Sequence, residues 1–221
     1  MISANCIYWL NRGSNMQPVI KRILDIEWEM FDAVENAGGR ANCQDDWQTF
    51  EKQRGSQLRA WNSTMLQSYV SDLEEALQEG RNLMTEKYAY MMKHTSPVEY
   101  EAIKDRLPVL SGEKNQLINE IAAVQVKWLE ALSQRYPCVC GHGRLIHSSQ
   151  EPIFGTSFET YLKGELATYS METLQQYQAY VKELLSQGKN LNEDVLNYTC
   201  LAYGYTSIGD AEQKLRAGIF Q

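Results

Sequence analysis

The spacing of apolar residues constrains the fold of this chain more than any other feature. Apolar side chains recur every three or four positions, as on one face of an α-helix. The first such segment runs from Pro18 to Gly38 and Gly39, with proline and glycine where helices commonly begin and end. Others lie close to residues 47–61, 64–79, 82–93, 113–135, 157–169, 170–187 and 193–203, with a short one at 97–107 and a weaker one at 209–216. The pattern predicts an all-α fold, a bundle of about eight or nine helices.

Two segments fall outside this pattern. Residues 137–156 hold two prolines and three glycines and show no sustained period, so we predict one long loop there. Loops of this length are often functional. Residues 1–16 are predicted to be a variable N-terminal extension. Residues 17–221 are then a single helical domain, a size that one hydrophobic core can support.

Composition excludes several classes of protein. Acidic residues outnumber basic ones by 28 to 21, and a net charge of −7 is unlike that of a protein that binds nucleic acid or an anionic membrane. No apolar run approaches the ~20 residues that span a bilayer, and no signal peptide is recognisable at the N-terminus. An odd number of scattered cysteines is typical of reduced thiols: Cys6, Cys43, Cys138, Cys140 and Cys200. We therefore expect a cytoplasmic protein.

Five predicted helices each place one polar residue on the apolar face. Helical spacing puts Glu27 among Ile20, Leu24, Phe31 and Val34, whereas Glu29 points the opposite way and should be solvated. The same reasoning predicts that four further polar side chains point inward, namely Arg54, Lys87, Gln125 and Glu165. A buried charge without a partner costs several kcal/mol. We therefore expect these groups to be paired or neutralised.

Two interpretations of these inward polar residues remain open. They form either a structural ion-pair network or a polar pocket within the bundle. In the pocket interpretation the protein is an enzyme that acts on a polar, anionic small molecule by acid/base chemistry, without a cofactor. Glu27 and Glu165 would then be catalytic, one of them having a raised pKa. Binding would fall to Arg54 and Lys87, with Arg40, Gln44 and Gln125 around them.

Two alternatives belong to other classes of function. The protein could be a non-catalytic module that binds a metabolite or docks on a partner, which a fully paired interior would favour. Glutamates on separate helices also suggest a carboxylate-bridged di-metal enzyme. Such sites normally need Glu-x-x-His pairs, however, and His94 has no glutamate three residues before it. Cys138, Cys140 and His142 lie too close together in one loop, without a second cysteine pair, for a typical zinc site.

Several blocks of the sequence resemble a known family. They are EWEMF at 27–31, NAGGRANCQDDW at 36–47, LMTEKYA at 83–89 and SFETYLKGEL at 157–166, together with Phe50, Arg54, Ser56, Gln57, Trp61 and Asn62. The chain resembles an uncharacterised bacterial domain family that sometimes adjoins, or is fused to, nucleotidyltransferase-like domains. The resemblance implies an all-α bacterial cytoplasmic protein with a possible nucleotidyltransferase-like partner. It implies no reaction.

Overall fold

The computed structural model describes the backbone of residues 4–36, 38–151 and 155–219, and the side chains from residue 16 onward within those ranges. This part of the chain contains eleven α-helices and no strand, which confirms the all-α fold. The helices are α1 Ala4–Asp32, α2 Trp47–Arg59, α3 Ser63–Gln78, α4 Leu83–Thr95, α5 Pro97–Ile103, α6 Gly112–Arg135, α7 Pro137–Gly141, α8 Phe158–Thr168, α9 Met171–Ser186, α10 Leu191–Ala202 and α11 Ile208–Arg216. None of them is both long enough and apolar enough to cross a bilayer.

The long helices pack around one apolar core. Helix α1 contacts α2, α3 and α4, while α8 lies between α4 and α6. Helix α6 also contacts α9 and α10, and these two pack back against α3 and α2. The most deeply buried side chains come from several helices and include Ile23, Ile26, Leu58, Met65, Leu66, Leu73, Ile121 and Leu166. The predicted apolar faces are thus the faces that meet.

The predicted start of the first helix at Pro18 is wrong. Helix α1 begins at Ala4 and contains Pro18 in its interior. Proline lacks the backbone N–H that would bond to the preceding turn, but its fixed φ is close to the helical value. A helix can therefore continue through it at the cost of that hydrogen bond. That residues 1–16 vary among relatives stays a prediction.

The segment predicted as a long loop, 137–156, is mostly irregular but contains short helical pieces. Helix α7 opens it, and a single 3-10 turn spans Ser148–Gln150, while residues 152–154 lie outside the described part. The Glu212 carboxylate on α11 accepts hydrogen bonds from the backbone N–H groups of Cys138 and Val139. This contact ties the first residues of α7 to α11.

A glycine sets the distance between α4 and α8. A Cβ atom on Gly164 would lie 2.5 Å from Met91 Cγ and 3.0 Å from the Lys87 carbonyl oxygen, closer than real Cβ contacts. Only glycine permits this approach of the two backbones. Helices α4 and α8 carry Lys87 and Glu165, so this close packing brings two of the predicted polar residues together.

Candidate functional site

Four of the predicted inward residues form one buried group, called the ionic cluster below. Glu27 on α1, Arg54 on α2, Lys87 on α4 and Glu165 on α8 are 0%, 8%, 4% and 4% exposed. Glu29 is exposed, as its opposite helical position predicts. Helical periodicity therefore predicted correctly that all four side chains face the interior, and the structure shows that they meet in one region. Two acids and two bases meet there, so the formal charge of the ionic cluster is zero.

Arg54 is the centre of the ionic cluster. Its Nε donates to Glu27 Oε2 at 2.7 Å and its Nη2 donates to Glu27 Oε1 at 2.6 Å. Its Nη1 donates to Glu165 Oε1 at 2.7 Å and to Gln57 Oε1 at 2.5 Å. The paired contacts with Glu27 match the planar fork of a guanidinium to a carboxylate, which is the strong form of this interaction. Arg54 thus joins α1, α2 and α8.

Glu165 links Arg54 to Lys87. Its Oε2 accepts from Lys87 Nζ at 2.7 Å, and its Oε1 also accepts from the Tyr169 hydroxyl at 2.7 Å. On the other side of Arg54, the Tyr69 hydroxyl donates to Glu27 Oε1 at 2.5 Å. Every oxygen of the two buried carboxylates therefore accepts at least one hydrogen bond from the protein. A buried ion pair needs this saturation to offset the cost of leaving water.

The charges in the ionic cluster shift the pKa values of Glu165 and Lys87 toward their ionised forms. Burial opposes ionisation of Glu165, but the positive charges of Arg54 and Lys87 outweigh burial and lower the pKa of Glu165. Burial likewise opposes the charge on Lys87, and the negative charge of Glu165 outweighs it and raises the Lys87 pKa. Burial and the nearby carboxylates raise the pKa values of Tyr69 and Tyr169, which keeps their hydroxyls as neutral donors.

This electrostatic state differs from the expectation of a raised pKa at a catalytic glutamate. A general acid near neutral pH needs a carboxyl group that burial keeps protonated. Glu165 has a lowered pKa because its two cationic partners dominate over burial. The physical reason is that helix faces predict burial but do not say which groups will meet inside. The catalytic roles of Glu27 and Glu165 stay predictions.

Two side chains that are more exposed than Lys87, those of Tyr161 and Arg144, lie next to this buried member of the ionic cluster. Lys87 Nζ lies 3.8 Å from the centroid of the Tyr161 ring, and Arg144 Cζ lies 4.4 Å from the same centroid. Tyr161 is half-buried and Arg144 is exposed. Cations near an aromatic ring are attracted by its π-electrons. We call Lys87, Tyr161 and Arg144 the cationic rim.

The positive charge of the cationic rim changes the chemistry of Tyr161. The charge of Lys87 is the main cause of a lowered pKa at the Tyr161 hydroxyl, and Arg144 contributes in the same direction. Arg144 forms no ion pair with any carboxylate among the residues that the structure describes. Its Nη1 is 3.4 Å from the Thr156 carbonyl oxygen. One exposed positive charge therefore stands at the edge of a neutral cluster.

The structure does not place Arg40, Gln44 and Gln125 in the ionic cluster. Arg40 is exposed and pairs with the carboxylates of Asp32 and Asp45. Gln44 is buried, but its side chain donates to the carbonyl oxygens of Phe31 and Val34 at the end of α1. Their side chains thus organise the loop between α1 and α2.

Gln125 is buried in a different polar contact. It is 3% exposed, and its Nε2 donates to the Tyr177 hydroxyl at 2.8 Å. The Tyr177 ring stands beside Trp61, with centroids 5.7 Å apart, and Arg54 Cζ lies 5.4 Å from the Trp61 ring. Gln125 is thus separated from Arg54 by two aromatic rings. Its predicted role in binding stays a prediction.

The donor groups around the glutamates do not suit a di-metal centre. Both carboxylates are already engaged by Arg54, and Lys87 engages the second oxygen of Glu165. Within the described ranges, no group of three or more His, Cys, Asp and Glu side chains is arranged to hold a metal ion. Cys43, Cys138, Cys140 and Cys200 are free thiols there, and the Cys6 side chain lies outside the described residues.

Five further side chains complete this region, and helical periodicity did not identify them. Tyr69, Tyr161 and Tyr169 occupy apolar helix faces, where a ring is explained by packing, although a buried tyrosine hydroxyl usually requires a partner. That requirement is the signal that could have indicated their role. Gln57 lies one turn after Arg54 on α2. Arg144 lies in an irregular segment, where no periodicity predicts its direction.

A family model described as a protein of unknown function (DUF4125) matches residues 17–213, which is most of the chain. Neither curated proteins nor solved structures include a chain with significant similarity.

Proposed function

Since the chain belongs to the DUF4125 family, a family of unknown function, we propose from its geometry that it is a binding module for a small anionic molecule. The anionic group would bind at the cationic rim. The observation that carries this proposal is the exposed guanidinium of Arg144, which lies against the Tyr161 ring without a carboxylate partner among the described residues. The ionic cluster beneath it would act as the scaffold that holds Lys87 in place.

The charge distribution around the rim supports an anionic ligand. The four members of the ionic cluster neutralise one another, so Arg144 adds an uncompensated positive charge near them. Arginine presents several N–H donors in a plane and binds carboxylates and phosphates through two of them at once. Lys87 is buried and pairs with Glu165, so its positive charge would add to the attraction of an anion at Arg144 without contacting the anion.

The geometry favours binding over acid/base catalysis by the buried glutamates. Glu27 and Glu165 are engaged on both oxygens, and Glu165 is ionised well below neutral pH because of Arg54 and Lys87. A substrate would have to displace these contacts to reach either carboxylate. If the protein is an enzyme that uses Glu27 or Glu165, Glu27→Gln should abolish turnover while the fold persists. If it is a binding module, the same substitution should act only by lowering the stability of the folded protein.

The test is a binding screen on the purified full chain. Melting temperature is measured against a panel of mono- and dianionic metabolites, and hits are titrated by calorimetry. We expect at least one anion to raise the melting temperature, because a ligand that binds only the folded state stabilises it. Arg144→Ala should weaken the binding of that anion by about tenfold or more, in line with the ~1.5–3 kcal/mol of a charge-assisted hydrogen bond.

A matched control exists elsewhere in the chain. Arg135 Cζ lies 4.8 Å from the Tyr136 ring, but Arg135 also pairs with Glu193. Because this guanidinium already has a carboxylate partner, Arg135→Ala should leave the affinity unchanged. The proposal is wrong if no anion stabilises the chain, or if Arg144→Ala binds the anion as tightly as Arg135→Ala does.

The resemblance noted in the sequence supports three further points of this proposal. They are a bacterial origin, a cytoplasmic location and a nucleotidyltransferase-like partner. Co-purification of the tagged chain from a host that also produces such a domain would test the partner. Two proteins that elute separately on size-exclusion chromatography at micromolar concentration would contradict it.

A further inference from the structure

Five half-buried aromatic side chains form a continuous row beside the cationic rim. Trp28 and Phe31 come from α1, Trp47 and Phe50 from α2, and Tyr88 from α4. The Trp28 ring lies 5.3 Å from Trp47 and 5.1 Å from Phe50, measured between centroids. Phe31 stacks on Phe50 at 5.9 Å and lies 6.4 Å from Tyr88. We call these five residues the aromatic row.

The aromatic row runs into the cationic rim at Tyr88. Tyr88 follows Lys87 in α4, and α4 packs against α8, the helix that carries Tyr161. Burial and the nearby Tyr161 raise the pKa of Tyr88, so it stays a neutral phenol beside the more acidic Tyr161. Row and rim therefore share a boundary, with flat rings on one side and positive charges on the other.

Partial exposure of all five rings distinguishes the row from the core. Tyr69, Tyr169 and Tyr177 fill the interior and are each about 1% exposed. Each ring of the aromatic row is instead only partly covered. Four of the five residues also pack against the apolar core, so the row is a partly exposed edge of that core, and contiguous apolar surface is more typical of a binding site than single exposed residues are. Aromatic side chains serve such surfaces well because flat ligands stack on them.

We propose that the anionic ligand carries an aromatic ring, which stacks on the aromatic row while its phosphate or carboxylate binds Arg144. This inference rests on the proposed function and names the class of ligand. Charge complementarity places the anionic group of the ligand at the cationic rim. Because Tyr88 and Tyr161 lie on packed helices at the boundary of row and rim, the aromatic ring of the same ligand would lie on the aromatic row. A phosphate and a carboxylate satisfy the same guanidinium geometry.

Matched pairs of small molecules test the proposal on the full chain. Adenosine 5′-monophosphate is compared with ribose 5-phosphate, which keeps the phosphate and lacks the ring. Indole-3-carboxylate is compared with acetate in the same way, so that the two pairs separate a phosphate from a carboxylate source. Affinities come from calorimetry, and binding at the row is read from tryptophan fluorescence. We expect the aromatic member of at least one pair to bind about tenfold or more tightly.

Variants on the row and elsewhere locate the stacking. Phe31→Leu keeps an apolar side chain but removes the ring next to Tyr88, and it should reduce the preference for the aromatic member to about twofold or less. Tyr88→Leu serves as a second variant on a different helix, should the first fail to fold. Tyr136→Leu removes a half-buried ring beside Arg135 and should change nothing.

The outcomes separate this inference from the proposed function. Equal affinity for both members of each pair, together with weaker binding by Arg144→Ala, would overturn the aromatic ligand and leave an anion-binding module. An unchanged preference in both Phe31→Leu and Tyr88→Leu would also overturn it, because stacking would then occur elsewhere. Absence of binding by all four molecules, and by the wider anion panel, would overturn both.

Discussion

Lys87 and Glu165 form their 2.7 Å ion pair one residue away from Gly164, the glycine that permits α4 and α8 to approach each other. The close backbone contact and the buried charge pair are thus parts of the same interface. Displacing either helix by a fraction of an ångström would lengthen the ion pair. Because a buried pair is favourable only with good geometry, packing at Gly164 supports the electrostatics of the whole ionic cluster.

Replacing Gly164 with alanine should therefore destabilise the protein. The new Cβ would lie 2.5 Å from Met91 Cγ and 3.0 Å from the Lys87 carbonyl oxygen. We expect a loss of about 1–3 kcal/mol in the free energy of unfolding, as for other overpacked sites, measured by urea denaturation. The control is Gly55→Ala in α2, where the Cβ would meet only the flexible end of Arg59 at 3.4 Å. That variant should be unchanged or slightly more stable, because alanine favours helix. Equal effects of the two substitutions would contradict the role of Gly164.

Removing one acid from the ionic cluster should be more damaging than removing one from the surface. Glu27→Gln leaves Arg54 buried with one carboxylate partner, and breaking a buried pair costs about 3–5 kcal/mol. Asp25→Asn on the same helix breaks only an exposed pair with Lys21 and should cost less than about 1 kcal/mol. Chemical denaturation of both variants gives the comparison. A Glu27→Gln protein as stable as Asp25→Asn would show that the ionic cluster contributes no stability.

The contribution of Glu165 should depend on pH in the acid range. Arg54 and Lys87 hold its pKa below the ordinary value of 4.5, so the folded state binds a proton less readily than the unfolded chain. The stabilisation is therefore complete above about pH 4.5 and declines as the pH falls toward the folded pKa. We expect the difference in the free energy of unfolding between wild type and Glu165→Gln to become smaller from pH 6 to pH 3. Denaturant titrations of both proteins at each pH measure it. A difference that stays constant over this range would contradict the lowered pKa.

Tyr161 should ionise before the buried tyrosines as the pH rises. The charge of Lys87 lowers its pKa, whereas burial raises the pKa values of Tyr90 and Tyr180 to about 12. Tyrosinate absorbance near 295 nm should show an early transition that Tyr161→Phe removes. Lys87→Met should move that transition to higher pH, because the main cause of the lowered pKa is gone. A Tyr180→Phe protein should keep it. An early transition that persists in Tyr161→Phe would assign it to another residue.

Periodicity predicted the helices and the inward direction of Glu27, Arg54, Lys87 and Glu165, because a side chain's face follows directly from its position in a regular helix. It could not predict which groups would pair, since that depends on how helices distant in sequence pack. The direction of the Arg144 side chain could not be predicted for a related reason. It lies between helices, where no repeating geometry relates sequence to direction.

The difference between regular helices and the segments that connect them also explains why two predicted residues in the first loop lie outside the ionic cluster. Arg40 and Gln44 were expected around the bound molecule, but their side chains donate to carbonyl oxygens at the end of α1. Irregular backbone leaves carbonyl oxygens without helical partners, and nearby polar side chains satisfy them first. A side chain in a short connection therefore has a local use that helical position does not reveal.

The sharing of Arg54 between two glutamates also restricts how the sequence can change over time. Substituting any one member of the ionic cluster leaves an unbalanced charge inside the protein, and only a matching change on another helix restores neutrality. Single-step mutational paths away from this arrangement pass through a destabilised intermediate. The four positions are therefore expected to evolve together, as one epistatic unit drawn from four separate helices.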